Sequence, residues 1–306
     1  MTGERLRSPI YYVGGKGNMV AKLLPFIPKH RAYVEPFGGG ASLLFAKEPS
    51  PVEVYNDIDE ALVSFFRVLR DPKKFAKFYH LATLTPYSRA EYDFCRKTWQ
   101  GVEDEVERAY RWFVMQRQSF GGTGGSSWGF TVSASWRNMA GAVSRWLTCL
   151  KELPEVAKRM MRVQVECLDF RKIYETYDTP ETLFYTDPPY VLETFKNQLF
   201  YKHMLSDKDH EDLVDILLKL KGMAIVSGYY HEIYKPLEEA WWKRHDFSTA
   251  SYVAGRTKTS GIKGKGLAIK RAPRTECVWI CPKTQERLAN PAGLFGAEGK
   301  EEYTND

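Results

Sequence analysis

The sequence predicts an α/β fold, a doubly wound sheet interrupted by a mostly helical insert. Three observations carry this. Residues 31–70 alternate strand and helix around a glycine-rich turn, residues 71–162 lack clear strands, and short apolar strands return after residue 163. Alternation of this kind builds a mostly parallel sheet with helices on its faces.

In order, residues 31–35 (Arg-Ala-Tyr-Val-Glu) read as a strand, 36–40 (Pro-Phe-Gly-Gly-Gly) as a turn and 41–47 as a helix. Residues 52–55 (Val-Glu-Val-Tyr) form a second strand, and 59–69 carry apolar residues at helical spacing. Residues 71–162 read as helical, broken by the Gly/Ser-rich stretch 121–127. Strands follow at 163–167, 182–186, 223–227 and 275–281, with an amphipathic helix over 210–220. The polar, acidic stretch from 286 onward reads as a frayed tail. The expected organisation is a discontinuous sheet domain over 1–70 and 163–285, an inserted domain over 71–162, and a tail over 286–306.

The hydrophobic fraction of 43% is ordinary for a globular chain. No apolar run reaches the roughly 18–20 residues of a membrane helix, and no apolar stretch follows the first residues as in a signal peptide. The five cysteines are odd in number and scattered, which fits a reducing cytoplasm better than a secreted disulfide scaffold. Cys277 and Cys281 lack the two further ligands that zinc requires, so no metal is expected.

The net charge of +6 is confined to one segment. Residues 71–162 hold 15 Lys/Arg against 9 Asp/Glu, whereas the rest of the chain holds 29 of each. The same segment has 15 of the 43 aromatic residues. Basic charge interleaved with rings suits a surface that contacts phosphates and stacks on bases. A solvated helical domain with an aromatic core explains the rings but not the confinement of the charge. A second basic stretch, between Asp246 and Glu276, contains no acid and includes Lys258, Lys263 and Lys265 among several glycines. It reads either as a phosphate-contacting loop or as a solvated hairpin loop.

Glu35-Pro36-Phe37-Gly38-Gly39-Gly40 sits between a strand and a helix. Consecutive glycines let backbone approach a bound cofactor and leave the helix N-terminus open. The next strand ends in Asn56-Asp57. An acid there holds a ribose diol, or else caps the helix that begins near Asp59. No Lys-Ser/Thr pair follows the glycines, which excludes a P-loop, and nothing downstream offers hydride chemistry. S-adenosylmethionine fits better than a dinucleotide.

The run 182–186 ends in Asp187-Pro188-Pro189-Tyr190. Proline lacks the N–H of a sheet ladder and keeps the preceding residue extended, so the result is a stiff loop at the strand's end. It can hold a carboxylate, a free carbonyl and a ring around one flat substrate. Those are the parts needed to methylate an exocyclic amine of a base. Alone, the tetrapeptide also suits an ordinary turn, cytosine N4, an RNA adenine or a protein glutamine. A non-catalytic DNA-binding relative is a further alternative, which predicts a degraded loop or cofactor site, and neither is seen. No Pro-Cys pair is present for cytosine C5 chemistry.

With glycine turn, strand-end acid, helical insert and Asp-Pro-Pro-Tyr in this order, the chain resembles the Dam-type (D12 class, α group) DNA adenine-N6 methyltransferases. The resemblance spans roughly 9–282 and includes an opening segment, Tyr11-Tyr-Val-Gly-Gly-Lys16. It implies a Rossmann-like S-adenosylmethionine-dependent sheet with an inserted DNA-recognition domain. Asp187, Pro188, Pro189 and Tyr190 would form the catalytic loop. Tyr12, Lys16, Glu35, Phe37, Gly38, Gly40, Asp57, Asp169, Phe170 and Asp187 would line the cofactor site. There Lys16 would pair with the methionine carboxylate, and Asp169-Phe170 would end a strand beside the adenine. S-adenosylhomocysteine would be the product.

The stretch from Arg111 to Gly122 is similar to the family's hairpin segment that enters DNA. It implies DNA contacts from Arg117, Phe120 and Gly121, with Phe120 as the wedge. Trp112 and Phe113 read as helix-core aromatics. Gly121 replaces the family's asparagine, and 123–127 stand where a base-reading arginine is expected. A GATC target therefore does not follow, and Arg137 or Arg145 is left to supply a base contact. The implied partner is duplex DNA, acted on by a monomer, with a cognate restriction endonuclease left open.

Overall fold

The computed structural model describes residues 5–12, 14–120, 124, 127–194, 203–250 and 273–291. Gly121, Lys258, Lys263 and Lys265 lie outside the described residues. The chain opens with α1 (Val20–Leu23), β1 (Ala32–Glu35), α2 (Ser42–Ala46), β2 (Val52–Asn56) and α3 (Glu60–Arg70). Helices α4 (Pro72–Leu84), α5 (Arg89–Thr98) and α6 (Glu105–Gln118) follow, then a small hairpin of β3 (Ser135–Trp136) and β4 (Met139–Ala140), and α7 (Gly141–Met160). The remainder is β5 (Gln164–Glu166), α8 (Phe170–Tyr177), β6 (Thr182–Thr186), α9 (Asp207–Lys219), β7 (Met223–Gly228), α10 (Lys235–Glu239), β8 (Lys243–Ala250), β9 (Pro273–Ile280) and α11 (Pro282–Ala289).

Seven strands join in the order β5-β2-β1-β6-β7-β9-β8. The first five are parallel, whereas β9 runs antiparallel to both β7 and β8. The chain leaves β1 toward β2 on one side and returns to β6 on the other. That reversal opens a crevice at the C-terminal ends of the parallel strands, where such sheets bind ligands. The antiparallel course of β9 has a further effect. Its early residues lie at the same edge, with Cys277 opposite Gly228 at the end of β7.

Side chains alternate between two cores, as the pleat requires. Tyr33, Tyr55, Leu183, Tyr185, Met223, Ile225, Val278 and Ile280 face one core. Val34, Val54, Phe184, Ala224, Val226, Cys277 and Trp279 face the other, under α8 and α9. Each fully buried Leu, Ile or Phe here contributes roughly 1.5–3 kcal/mol. The first core runs without a break into the insert. Phe65 of α3 stacks on Phe113 of α6 with centroids 5.6 Å apart and lies 5.3 Å from Trp112. Trp112 and Phe113 are core residues, as their helical setting suggests.

A buried ionic junction ties the last turn of α7 to the sheet. Glu53 Oε1 accepts from Lys47 Nζ at 2.6 Å and from Arg159 Nη2 at 2.7 Å, and Arg159 Nη1 pairs with Oε2. Arg159 also donates to the Leu44 carbonyl. Helix starts are set locally. Asp59, Asp71, Ser88 and Asp104 accept backbone N–H groups at the heads of α3 to α6, and Ser206 forms a capping box with Asp209 at α9.

Four elements differ from expectation. Residues 71–162 contain the β3–β4 hairpin, whose turn residues Arg137 and Asn138 sit at φ 53° and 58°. Both central residues at positive φ make a tight turn of the twist-matched type, which glycine normally announces in a sequence. β8 is Lys-Arg-His-Asp-Phe-Ser-Thr-Ala, too polar to show alternation, and it is a strand because all eight residues pair with β9. Asp169-Phe170 does not end a strand: β5 stops at Glu166 and Asp169 caps α8. α11 runs through position 286, where the tail was expected to begin.

Candidate active site

The loops after β1, β2 and β6 meet at one cavity. Tyr12, Lys16, Glu35, Phe37, Gly38, Gly40, Asp57, Asp169, Phe170, Asp187, Pro188 and Pro189 all line it. The glycine turn is shaped from below. A Cβ on Gly38 would stand 2.2 Å from the Tyr55 ring, and Gly39 has φ +48°. Tyr55 Oη donates to the Gly39 carbonyl at 2.9 Å. Asn56, wholly buried, donates to the carbonyls of Pro36 and Leu168 and accepts from Leu168 N, so one side chain braces the glycine turn against the β5–α8 connection.

Asp57 is not the helix cap, since Asp59 accepts from Ala61 N in that role. Asp57 Oδ2 instead accepts from Gly39 N at 2.8 Å, and burial pushes its carboxyl up to about 6. Glu35 is 2% exposed. Its Oε1 accepts from Tyr33 Oη at 2.8 Å and Leu44 N at 2.9 Å, and burial pushes it up to about 8 against those bonds. Its Oε2 has no hydrogen-bond partner among the described residues. Across the cavity, Phe37 and Phe170 pack with centroids 5.3 Å apart, and Ile58 and Leu168 bring exposed apolar surface to the rim. Sequence reasoning missed Ile58 and Leu168; each adjoins a singled-out aspartate, the one available signal.

Asp187 and Tyr190 converge on Lys16. Its Nζ lies 2.6 Å from Asp187 Oδ1 and 3.0 Å from Glu276 Oε1, and also contacts Tyr190 Oη. Tyr190 Oη donates to Glu276 Oε1 at 2.6 Å, and Ser227 Oγ donates to Asp187 Oδ1 at 2.9 Å. Burial opposes the Lys16 charge, but the Asp187 and Glu276 carboxylates outweigh it and hold its pKa above the usual lysine value. Lys16 was expected to meet a cofactor carboxylate; in the structure its ammonium is taken up by the protein's own carboxylates. Glu276 and Ser227 carried no local sequence signal.

Asp187 Oδ1 is thus occupied twice. Oδ2 accepts no hydrogen bond from the described residues, and the side chain keeps 18% exposure. The Tyr190 ring is buried, packed 4.4 Å from the Tyr229 ring, so neither face stands open as an expected stacking surface.

A family model for D12 class N6 adenine-specific DNA methyltransferases matches residues 12–249. The chain belongs to this family. A search of curated proteins returns no significant match. The methyltransferase carries its Asp-Pro-Pro-Tyr loop at the sheet's C-terminal edge, and none of its described helices is long and apolar enough to cross a membrane.

Its expected DNA-facing residues separate into two groups. Phe120 is 41% exposed, next to the bridge between Ser119 and Trp128. Arg137 is exposed at the tip of the β3–β4 hairpin beside Trp136, which is 68% exposed. Arg145 is also exposed. Arg117 is not outward-facing. It is 9% exposed, its guanidinium lies 4.0 Å from the Tyr11 ring centre, and Nη2 donates to the Arg145 carbonyl. Its stem belongs to the packed face of α6, which turns the head inward onto the segment that carries Tyr12 and Lys16.

Proposed function

We propose that the chain binds S-adenosylmethionine in this cavity and methylates N6 of an adenine turned out of duplex DNA. The observation that carries the reading is Asp187 on a stiff Pro-Pro loop at the cavity, with Oδ1 fixed by Lys16 and Ser227 and Oδ2 accepting no hydrogen bond from the described residues. The walls suit the cofactor. Glu35 Oε2 suits an ammonium, Asp57 suits a ribose diol, and the Phe37, Ile58, Leu168 and Phe170 surfaces suit a flat heterocycle. Bound there, the cofactor supplies an electrophilic methyl group.

The chain's own groups then act on the base. A duplex hides N6, so the base must leave the stack. Asp187 Oδ2 and the Pro188 carbonyl accept the two N6 hydrogens. This favours a pyramidal nitrogen and exposes a lone pair otherwise delocalised into the ring. Positive charge developing on N6 is stabilised by the nearby carboxylates, which is the larger part of Asp187's role, and positioning supplies the rest. The amine keeps its proton through the transfer, and Asp187 Oδ2 receives it afterwards. For the base to rest against Tyr190, the Tyr229 ring must give way.

In this reading residues 71–162 form the recognition domain, with Phe120 as the wedge and Arg137 at a phosphate or base edge. Arg117 positions the N-terminal segment instead of touching DNA. Residues 1–70 and 163–285 form the catalytic domain. The deciding experiment incubates the protein with duplex DNA and methyl-labelled S-adenosylmethionine, then digests the DNA and separates the nucleosides. Label in N6-methyladenosine is expected; label confined to another nucleoside rejects the reading.

A further inference from the structure

The buried carboxylate of Glu276 belongs to none of the expected site residues, yet it contacts two of them. The fold explains its arrival. β9 is antiparallel, so Glu276 sits one residue past the Cys277–Gly228 pair, at the edge where Asp187 leaves β6. Its parity is that of Val278 and Ile280, which places it on the sheet face covered by the N-terminal segment and Lys16. It is 5% exposed, and Oε1 takes both the Tyr190 hydroxyl at 2.6 Å and the Lys16 ammonium at 3.0 Å.

We propose that Glu276 is a positioning residue of the methyl-transfer site: it anchors the Tyr190 phenol and divides the Lys16 ammonium with Asp187, leaving the cluster one net negative charge. The inference rests on the function proposed above. Burying a carboxylate is costly unless it is paired, and Asp187 alone would already neutralise Lys16. A second carboxylate is therefore surplus to pairing. Its effect is electrostatic. With Glu276 present, Lys16 does not quench Asp187, and the site keeps a field that favours a sulfonium ligand and positive charge developing on N6. The same carboxylate also fixes the Tyr190 ring at its far end, so the loop is held at both Asp187 and Tyr190 by one lysine–glutamate pair.

Two variants separate charge from packing. Glu276→Gln keeps an acceptor for Tyr190 but removes the charge, and Glu276→Asp keeps the charge. Two quantities are read for each: the ratio of S-adenosylmethionine to S-adenosylhomocysteine affinity without DNA, and the acid limb of the kcat–pH profile. Glu276→Gln is expected to lower the ratio by about tenfold, because only the sulfonium is charged. Glu276 disfavours the ionised form of Asp187, so its loss moves the acid limb to lower pH. Glu276→Asp is expected to restore both toward wild type. Equal behaviour of the two variants, or no change in ratio and limb for Glu276→Gln, overturns the inference. Wild-type protein in the same assay separates the two claims: if it does not methylate adenine, the proposed function fails, whereas the affinity ratio still judges Glu276.

Discussion

The ammonium of Lys16 lies 2.6 Å from Oδ1 of Asp187, across 171 positions of the chain. The opening Gly-Gly-Lys segment and the Asp-Pro-Pro-Tyr loop are therefore two halves of one charged cluster. The pairing occupies Asp187 Oδ1, Oδ2 accepts no hydrogen bond from the described residues, and Glu276 Oε1 lies 3.0 Å from the same ammonium.

Asp187→Ala should therefore remove methyl transfer without removing the fold. A loss of about 10³-fold or more in kcat is expected, at the upper end of what one electrostatic group supplies. Lys16 retains Glu276, so the thermal midpoint should stay near wild type. Wild-type-like turnover in single-turnover assays would remove Asp187 from the mechanism.

Tyr190 carries both a packed ring and a buried hydroxyl. Tyr190→Phe leaves Glu276 without its phenol donor and should cost about 1–3 kcal/mol of stability. Tyr190→Ala removes the ring as well and should cost about 3–5 kcal/mol, with a much larger fall in activity. Chemical denaturation together with turnover rates checks the order; equal losses would contradict a role for the ring.

Glu35, with its carboxyl near 8, is mostly protonated at pH 7 in the free site. An ammonium bound at Oε2 favours the ionised form. Cofactor binding at pH 7 should therefore release close to one proton, and binding well above pH 8 should release none. Calorimetry in buffers of different ionisation enthalpy measures this. Glu35→Gln should abolish the release and weaken binding.

The Glu53–Lys47–Arg159 junction makes a stability prediction. Arg159→Ala leaves a buried carboxylate with one partner fewer and should destabilise by about 3–5 kcal/mol. The Arg159 and Lys47 partners outweigh burial and hold the Glu53 carboxyl below its usual range. A depressed carboxylate adds stability above its unfolded value and loses it as pH falls through the folded one. Wild-type stability should thus drop on acidification below the ordinary glutamate range, and Glu53→Gln should flatten that drop in urea titrations.

DNA affinity should fall steeply with salt, because the basic excess acts through phosphates. Arg137→Ala, at the exposed hairpin tip, should lower the log–log salt slope by about 1. An unchanged slope would place the hairpin away from DNA.

How much of this was legible depended on range. β1, β2, β6 and β7 are short apolar runs bounded by turn residues, and their positions agree with the sequence to within a residue or two. β8 was hidden because its residues are polar and its state comes from pairing with β9. The β3–β4 turn was hidden because Arg137 and Asn138 adopt a conformation that glycine usually marks. Arg117 read as a DNA contact from its motif position, but its direction depends on which face of α6 packs against Tyr11.

The sequence by itself determined the α/β class, the glycine turn, the strand-end acid and the stiff Asp-Pro-Pro-Tyr loop. Each is local, set by proline and glycine backbone limits and by the period of apolar residues. Only the tertiary structure decided that Lys16 serves Asp187, that Glu276 and Ser227 join the cluster, that Arg117 turns inward and that Tyr229 packs on Tyr190. Those relationships arise where an antiparallel strand and distant loops reach one sheet edge. Burial there makes each charge seek a partner, and no short stretch of sequence names that partner.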